Sequence, residues 1–173
     1  PPPRSATPRP VGSAVDAALA ADLSSFVMSS PSSYHAAYAV RERLVEAGFD
    51  ELDEDDRWSL EPGGRYVVVR DGAVIAFAVP ARNTETAAPS APDALPFHVV
   101  GAHTDSPGFK LKPQPDFVAE GALQVGVEVY GGPLLNSWLD RELCFSGRLV
   151  LRDGTTVPAQ TGPIARIPQL AIH

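Results

Sequence analysis

A chain of 173 residues with 44% hydrophobic content can bury the core of one domain, or of one domain and the start of another. Its net charge of −7 and its lack of a Lys/Arg stripe exclude a phosphate-tracking nucleic-acid protein, and no apolar run approaches the roughly 18 residues that span a bilayer. The single Cys144 excludes an intramolecular disulfide framework and agrees with a reducing, cytoplasmic compartment, with no signal-peptide pattern in view.

The 18 prolines exceed the usual share of about 5% and gather at 1–10, 89–96, 107–115 and 158–168, which predicts extended connections there. Residues 14–28 are Ala-rich, with Val15, Leu19, Leu23, Phe26 and Val27 near helical spacing, and predict a first helix. Ser29-Ser30-Pro31-Ser32-Ser33 is a stop-and-restart signal with several candidate N-caps. A second helix is expected over 33–47, where Tyr34, Ala37, Tyr38, Arg41, Leu44 and Val45 recur at spacings of three and four. Gly48 suits the left-handed C′ position, and His35 falls where a capping or surface role is expected. Residues 50–56 hold six carboxylates in seven positions. They lack the glycine and spacing of an EF-hand and read as a solvated acidic turn.

Two hairpins are predicted from their turns: 66–70 with 73–79 around Asp71-Gly72, and 144–152 with 155–159 around Asp153-Gly154. Both pairs suit a type I′ turn. The polar, Pro-rich stretch 80–96 is expected to be a surface loop. The short apolar run 97–102 predicts a strand covered on both faces, with His98 in the core or facing a helix. In Leu123-Gln124-Val125-Gly126-Val127-Glu128-Val129-Tyr130 every odd position is apolar, which predicts a strand with one packed and one polar face.

His103 and Asp105 follow the apolar run, and in open α/β sheets ligands gather beyond the carboxyl ends of strands. Residues i and i+2 of an extended segment project to the same side. Asp105 can therefore accept a hydrogen bond from one imidazole nitrogen while the other meets a metal. Taken alone, His-x-Asp also fits a capped turn with a satisfied histidine. Ser106 beside this pair makes no triad, because the three are too close in sequence and the G-x-S-x-G elbow is missing. Lys110 and Lys112 are expected to face solvent, Asp140, Arg141 and Glu142 to form a buried or interface ion-pair network, and Cys144 to be a packed thiol between Leu143 and Phe145.

Five segments together carry a resemblance. They are Ser30-Pro31-Ser32-Ser33-Tyr34-His35-Ala36, His103-Thr104-Asp105-Ser106-Pro107, Val125-Gly126-Val127-Glu128-Val129-Tyr130-Gly131-Gly132, Trp138-Leu139-Asp140-Arg141-Glu142-Leu143 and Ile167-Pro168-Gln169-Leu170-Ala171-Ile172-His173. In this order and spacing the chain resembles the aspartyl aminopeptidase family of dinuclear zinc peptidases.

The resemblance implies an α/β fold, a zinc-peptidase-type mixed sheet flanked by helices, followed by the start of a β-rich dimerisation domain. Residues 1–110 would be the amino-terminal part of the peptidase domain and 111–173 the start of the dimerisation domain. On the family pattern, His103 corresponds to the first metal-ligand histidine, and Asp105 enters the catalytic set as the aspartate that orients it. His173 corresponds to a substrate-binding histidine that reaches a neighbouring subunit's pocket. The implied activity is hydrolysis of the amino-terminal residue of peptides, with preference for Asp or Glu, by two zinc ions in a homo-oligomer. The family's other ligands and its base lie beyond His173, so this chain is expected to be inactive without a downstream remainder of the same protein. Other readings are a non-catalytic dimerisation or assembly module and a metal hydrolase acting on another bond.

Overall fold

The computed structural model describes residues 14–81 and 98–171. Helix α1 spans Ala14–Met28, as its alanines and apolar spacing predict, and none of its residues is buried. Helix α2 follows at Ser33–Glu46, and both of its ends are closed by their own residues. At the start, the Ser32 hydroxyl accepts from the His35 N–H at 3.5 Å and lies 2.8 Å from the His35 Nδ1, so His35 has the expected capping role. At the end, Gly48 takes a φ of 84°. Its N–H donates to the Val45 carbonyl at 2.9 Å, and the Phe49 N–H donates to the Leu44 carbonyl at 3.0 Å. That paired closure is the Schellman motif that a glycine at C′ permits. Arg43 joins the two helices through two 3.0 Å hydrogen bonds to Asp22.

A three-stranded mixed sheet carries the core: β1 (Asp50–Glu51) runs parallel to β2 (Arg65–Arg70), which pairs antiparallel with β3 (Ala73–Ala78). The first two acidic residues thus form a strand rather than the expected turn. Glu51 and Glu54 are paired with Arg41 and Arg70. Helix α2 packs on this sheet, and Ala36, Ala37, Tyr66, Val67 and Val68 are the buried apolar residues. Their burial supplies the main apolar stabilisation among the described residues. The β2–β3 hairpin has the expected two-residue connection, with Arg70 opposite Ala73. Only Asp71 of the central pair has a positive φ, of 54°, so the turn is not type I′.

A long antiparallel ribbon follows, β4 (Gly108–Ala119) against β5 (Ala122–Tyr130). Its connection has the type I′ signature expected elsewhere, with φ values of 50° at Glu120 and 74° at Gly121. Strand β4 was not expected from the sequence. Pro113 and Pro115 cannot donate to a ladder, and the register breaks between Leu111 and Asp116 so that this stretch bulges out. Strand β5 is where the alternation predicts it, but only Val125 and Val127 of its apolar positions are half-buried, while Leu123 and Val129 are exposed.

The last hairpin is β6 (Ser146–Val150) with β7 (Thr156–Gln160). Both strands are shorter than expected on the turn side. The Gly154 N–H donates to the Leu151 carbonyl at 3.0 Å, and Gly154 takes a φ of 87°. This is a longer connection closed by a left-handed glycine, not a two-residue type I′ turn. The hairpin is tied back to the first helices, because Arg148 pairs with Asp71 and the Ser146 hydroxyl donates to the Pro31 carbonyl at 2.8 Å. Among the described residues no helix is long and apolar enough to cross a membrane.

Several expectations are corrected. Residues 98–102 form no strand, and Val99 and Val100 are 84% and 99% exposed. A strand covered on both faces needs neighbours on its edges, and no strand among the described residues pairs with this run. His98 is accordingly exposed and not in a core. Cys144 is also exposed, with the Gln160 amide 3.8 Å from its sulfur, because the chain there lies at the open start of the β6–β7 hairpin. Asp140, Arg141 and Glu142 are exposed and form no ion-pair network. Asp140 accepts from the Gln169 N–H at 3.2 Å, and Arg141 donates to the Ser137 carbonyl at 3.1 Å. Local main-chain groups thus take up the charges that were expected to pair with one another. The loop expected over 80–96 falls almost wholly outside the described residues.

Candidate functional site

The segment His103-Thr104-Asp105 leads into β4 and is anchored on both sides. The Thr104 hydroxyl donates to the Gly72 carbonyl at 2.5 Å, which ties the segment to the β2–β3 turn. On the other side, Gly108 stands opposite Tyr130 in the β4–β5 ladder. This register brings the end of β5 alongside Asp105, and the Tyr130 hydroxyl donates to the Asp105 Oδ2.

His103 is 81% exposed, and its Nδ1 faces Asp105. The nearer acceptor is the Asp105 main-chain oxygen at 2.8 Å, with the carboxylate Oδ1 at 3.5 Å. The sequence argument has the carboxylate in that role, but the chain turn brings the carbonyl closer. With its proton on Nδ1, the imidazole keeps the Nε2 lone pair free and directed away from Asp105, as a metal ligand requires.

The electrostatics favour an ionised Asp105. The Tyr130 hydrogen bond holds its carboxyl below the usual carboxylate range, against a smaller opposing effect of burial, and nearby His103 and Lys110 add attraction. The same bond pushes the Tyr130 phenol up, so its proton stays in place as donor. Lys110 sits with its Nζ 3.8 Å from the centre of the Tyr130 ring, and Lys112 lies 3.1 Å from Glu128. Both lysines are exposed, as expected, yet each has a partner across the ribbon.

The structure therefore brings His103 and Asp105 together, and it adds Tyr130, which sequence reasoning missed. The signal for Tyr130 was its place at the end of the alternating run, two residues beyond Glu128. His173 lies outside the described residues. Among the described residues no three His, Cys, Asp or Glu side chains come together as a metal-binding group. His103 fits one position of a zinc site, but a zinc ion needs several protein ligands, and the described residues do not supply the set. A separate concavity of about 310 Å³ lies beside Tyr34, Tyr38, Asp71 and Arg148, and His103 and Asp105 are not in its lining.

Comparison with known proteins agrees with this arrangement. The family described as aminopeptidase I zinc metalloprotease (M18) matches residues 26–173. A probable M18 family aminopeptidase 2 of Streptomyces avermitilis is 54% identical over 153 residues, covering 88% of this chain and 33% of its own length. The chain thus spans about a third of the length of the curated relatives it matches. Among solved structures, a chain in the cryo-EM structure of the Ape4 and Nbr1 complex is 37% identical with a TM-score of 0.73, over 89% of this chain and 29% of that one. The S. cerevisiae mApe1 dodecamer is 26% identical with a TM-score of 0.67, over 88% of this chain and 36% of its own. With 148 consecutive residues (26–173) under one family description, the chain belongs to the M18 family of aminopeptidase I zinc metalloproteases.

Proposed function

We propose that this chain is the amino-terminal part of a zinc-dependent aminopeptidase that hydrolyses the amino-terminal residue of peptides, with preference for Asp or Glu. The observation that carries the reading is the His103–Asp105 arrangement within an M18 chain. One imidazole nitrogen is engaged at 2.8 Å and the other is free for a metal.

In the assembled site His103 supplies one ligand, and Asp105 holds its ring and tautomer. The remaining ligands and the base come from the downstream part of the same protein, so the 173 residues alone are inactive. Two zinc ions would activate water and polarise the scissile carbonyl when bound. Residues 1–110 belong to the peptidase domain and 111–173 to the dimerisation domain, a division that falls inside β4. The protein is a cytoplasmic homo-oligomer, in keeping with the dodecamer formed by mApe1. His173 contributes to the substrate pocket of a neighbouring subunit. Exposed apolar residues on α1 and on the β4–β5 ribbon, such as Leu19, Leu23, Val118 and Leu123, are covered by the rest of the assembly.

The test uses the complete protein containing this chain. Zinc content is measured by elemental analysis, and a panel of aminoacyl amides is offered as substrate. Bound zinc with cleavage of the Asp and Glu amides is the expected result. A complete protein that binds no zinc and cleaves no aminoacyl amide overturns the proposal.

A further inference from the structure

We infer that Tyr130 is a positioning residue of this site, which fixes the Asp105 carboxylate and, through it, the His103 ring. The inference rests on the reading of His103 as a metal ligand. Its own support is geometric.

The side chains of His103 and Asp105 are 81% and 45% exposed, so packing alone does not select their rotamers. Without the phenol, rotation of the carboxylate would no longer be opposed from the Oδ2 side. Tyr130 is well placed to oppose it, because its own position is determined at three points. Its backbone is paired with Gly108, its ring lies under the Lys110 ammonium, and the following Gly131 touches Pro107. A side chain on a paired strand is a more rigid reference than one on the loop that carries His103. The two segments joined in this way are 25 residues apart.

A purely structural staple between the loop and the ribbon would also use this hydrogen bond, and a mutant cycle separates the two roles. In the complete protein, Tyr130→Phe, Asp105→Ala and the double variant are compared by zinc affinity, measured in competition with a chromophoric chelator. The visible spectrum of the Co²⁺-substituted protein is recorded for each. Tyr130→Phe keeps the ring and its contact with Lys110, so folding and oligomer size serve as controls. Loss of an outer-shell partner typically costs about 10- to 100-fold in metal affinity, and a group one step further out is expected to cost about 3- to 10-fold.

The expected result is a weaker zinc complex and a shifted Co²⁺ spectrum for Tyr130→Phe, with the double variant no worse than Asp105→Ala alone. Unchanged affinity in Tyr130→Phe, or a loss that adds in full to that of Asp105→Ala, overturns the assignment. If the wild-type complete protein holds no zinc, the reading of His103 as a ligand fails and this inference fails with it. If the wild type holds zinc and Tyr130→Phe does so equally well, only the role of Tyr130 is lost.

Discussion

Gly131 rests against Pro107: a Cβ placed on Gly131 would lie 3.2 Å from the Pro107 Cα and from its Cβ. The same glycine takes a φ of 70°, where a side chain is strained regardless of space. This contact closes the end of the β4–β5 ribbon onto the segment that carries the candidate site. Gly131→Ala should therefore destabilise the protein by about 1–2 kcal/mol. It should also move Tyr130 away from Asp105. Gly132 has a clear surrounding and no left-handed φ, so Gly132→Ala should stay within about 0.5 kcal/mol. Urea denaturation of the two variants side by side checks this, and equal losses would contradict it.

Val67 is fully buried between α2 and the sheet. Val67→Ala removes two methyl groups from a small core and should cost about 1.5–3 kcal/mol, from lost transfer free energy and the cavity left behind. Ile75 in the neighbouring strand is 65% exposed, and Ile75→Ala should cost far less. Thermal denaturation of both variants gives the comparison.

Ser32→Ala removes the hydroxyl that meets both the N–H and the Nδ1 of His35. The expected loss is about 1 kcal/mol, as for other N-cap deletions. Ser32→Asp restores an acceptor and should recover most of it, as read from the denaturation midpoint. A Ser32→Asp variant no better than Ser32→Ala would argue against the cap.

These helix ends were legible because everything that defines them is local. The serines before α2, the three-and-four spacing within it and Gly48 after it lie within a few turns of one another. The sheet was legible where turn residues sit between apolar runs, as at Asp71-Gly72. Strand β4 was hidden by Pro113 and Pro115, and it forms because β5 pairs with it on both sides of the bulge. The run at 98–102 misled for the opposite reason. Its composition suits a buried strand, but a strand is defined by partners, and composition does not say whether they are present. In the site, His103 and Asp105 could be read from adjacent positions, whereas the Tyr130 bond depends on the register of a ribbon across 25 residues. Side-chain alternation shows which way Tyr130 points but not what it meets.

The Arg41–Glu51 pair gives a pH prediction. The Arg41 Nε donates to the Glu51 Oε1 at 3.0 Å, and this bond holds the Glu51 carboxyl below the usual glutamate range. A carboxylate depressed in the folded state adds stability above its unfolded pKa and loses it as pH falls through the folded value. The contribution is thus present at neutral pH and fades below about pH 4.3. Since Glu51 is 41% exposed, solvent screens the pair and the expected size is only about 0.2–1 kcal/mol. Glu51→Gln should lower stability by that amount at pH 7 and by less at pH 3. A difference that stays constant between the two pH values would show that the charge is not responsible.

Two exposed histidines bracket the site segment, and they should respond differently to substitution. His103 has its Nδ1 held by Asp105 and its Nε2 free, the arrangement of an oriented ligand. His98 has no hydrogen bond or ion pair among the described residues, so nothing orients its ring. In the complete protein, His103→Ala should weaken zinc binding by more than about 100-fold, because it removes a ligand itself and not only the group that orients one. His98→Ala should leave zinc affinity within about 2-fold, since no ordered partner is lost. Zinc retained per subunit after dialysis against a graded chelator series measures both. Dependence on His98, or independence from His103, would move the ligand assignment away from the residue that Asp105 holds.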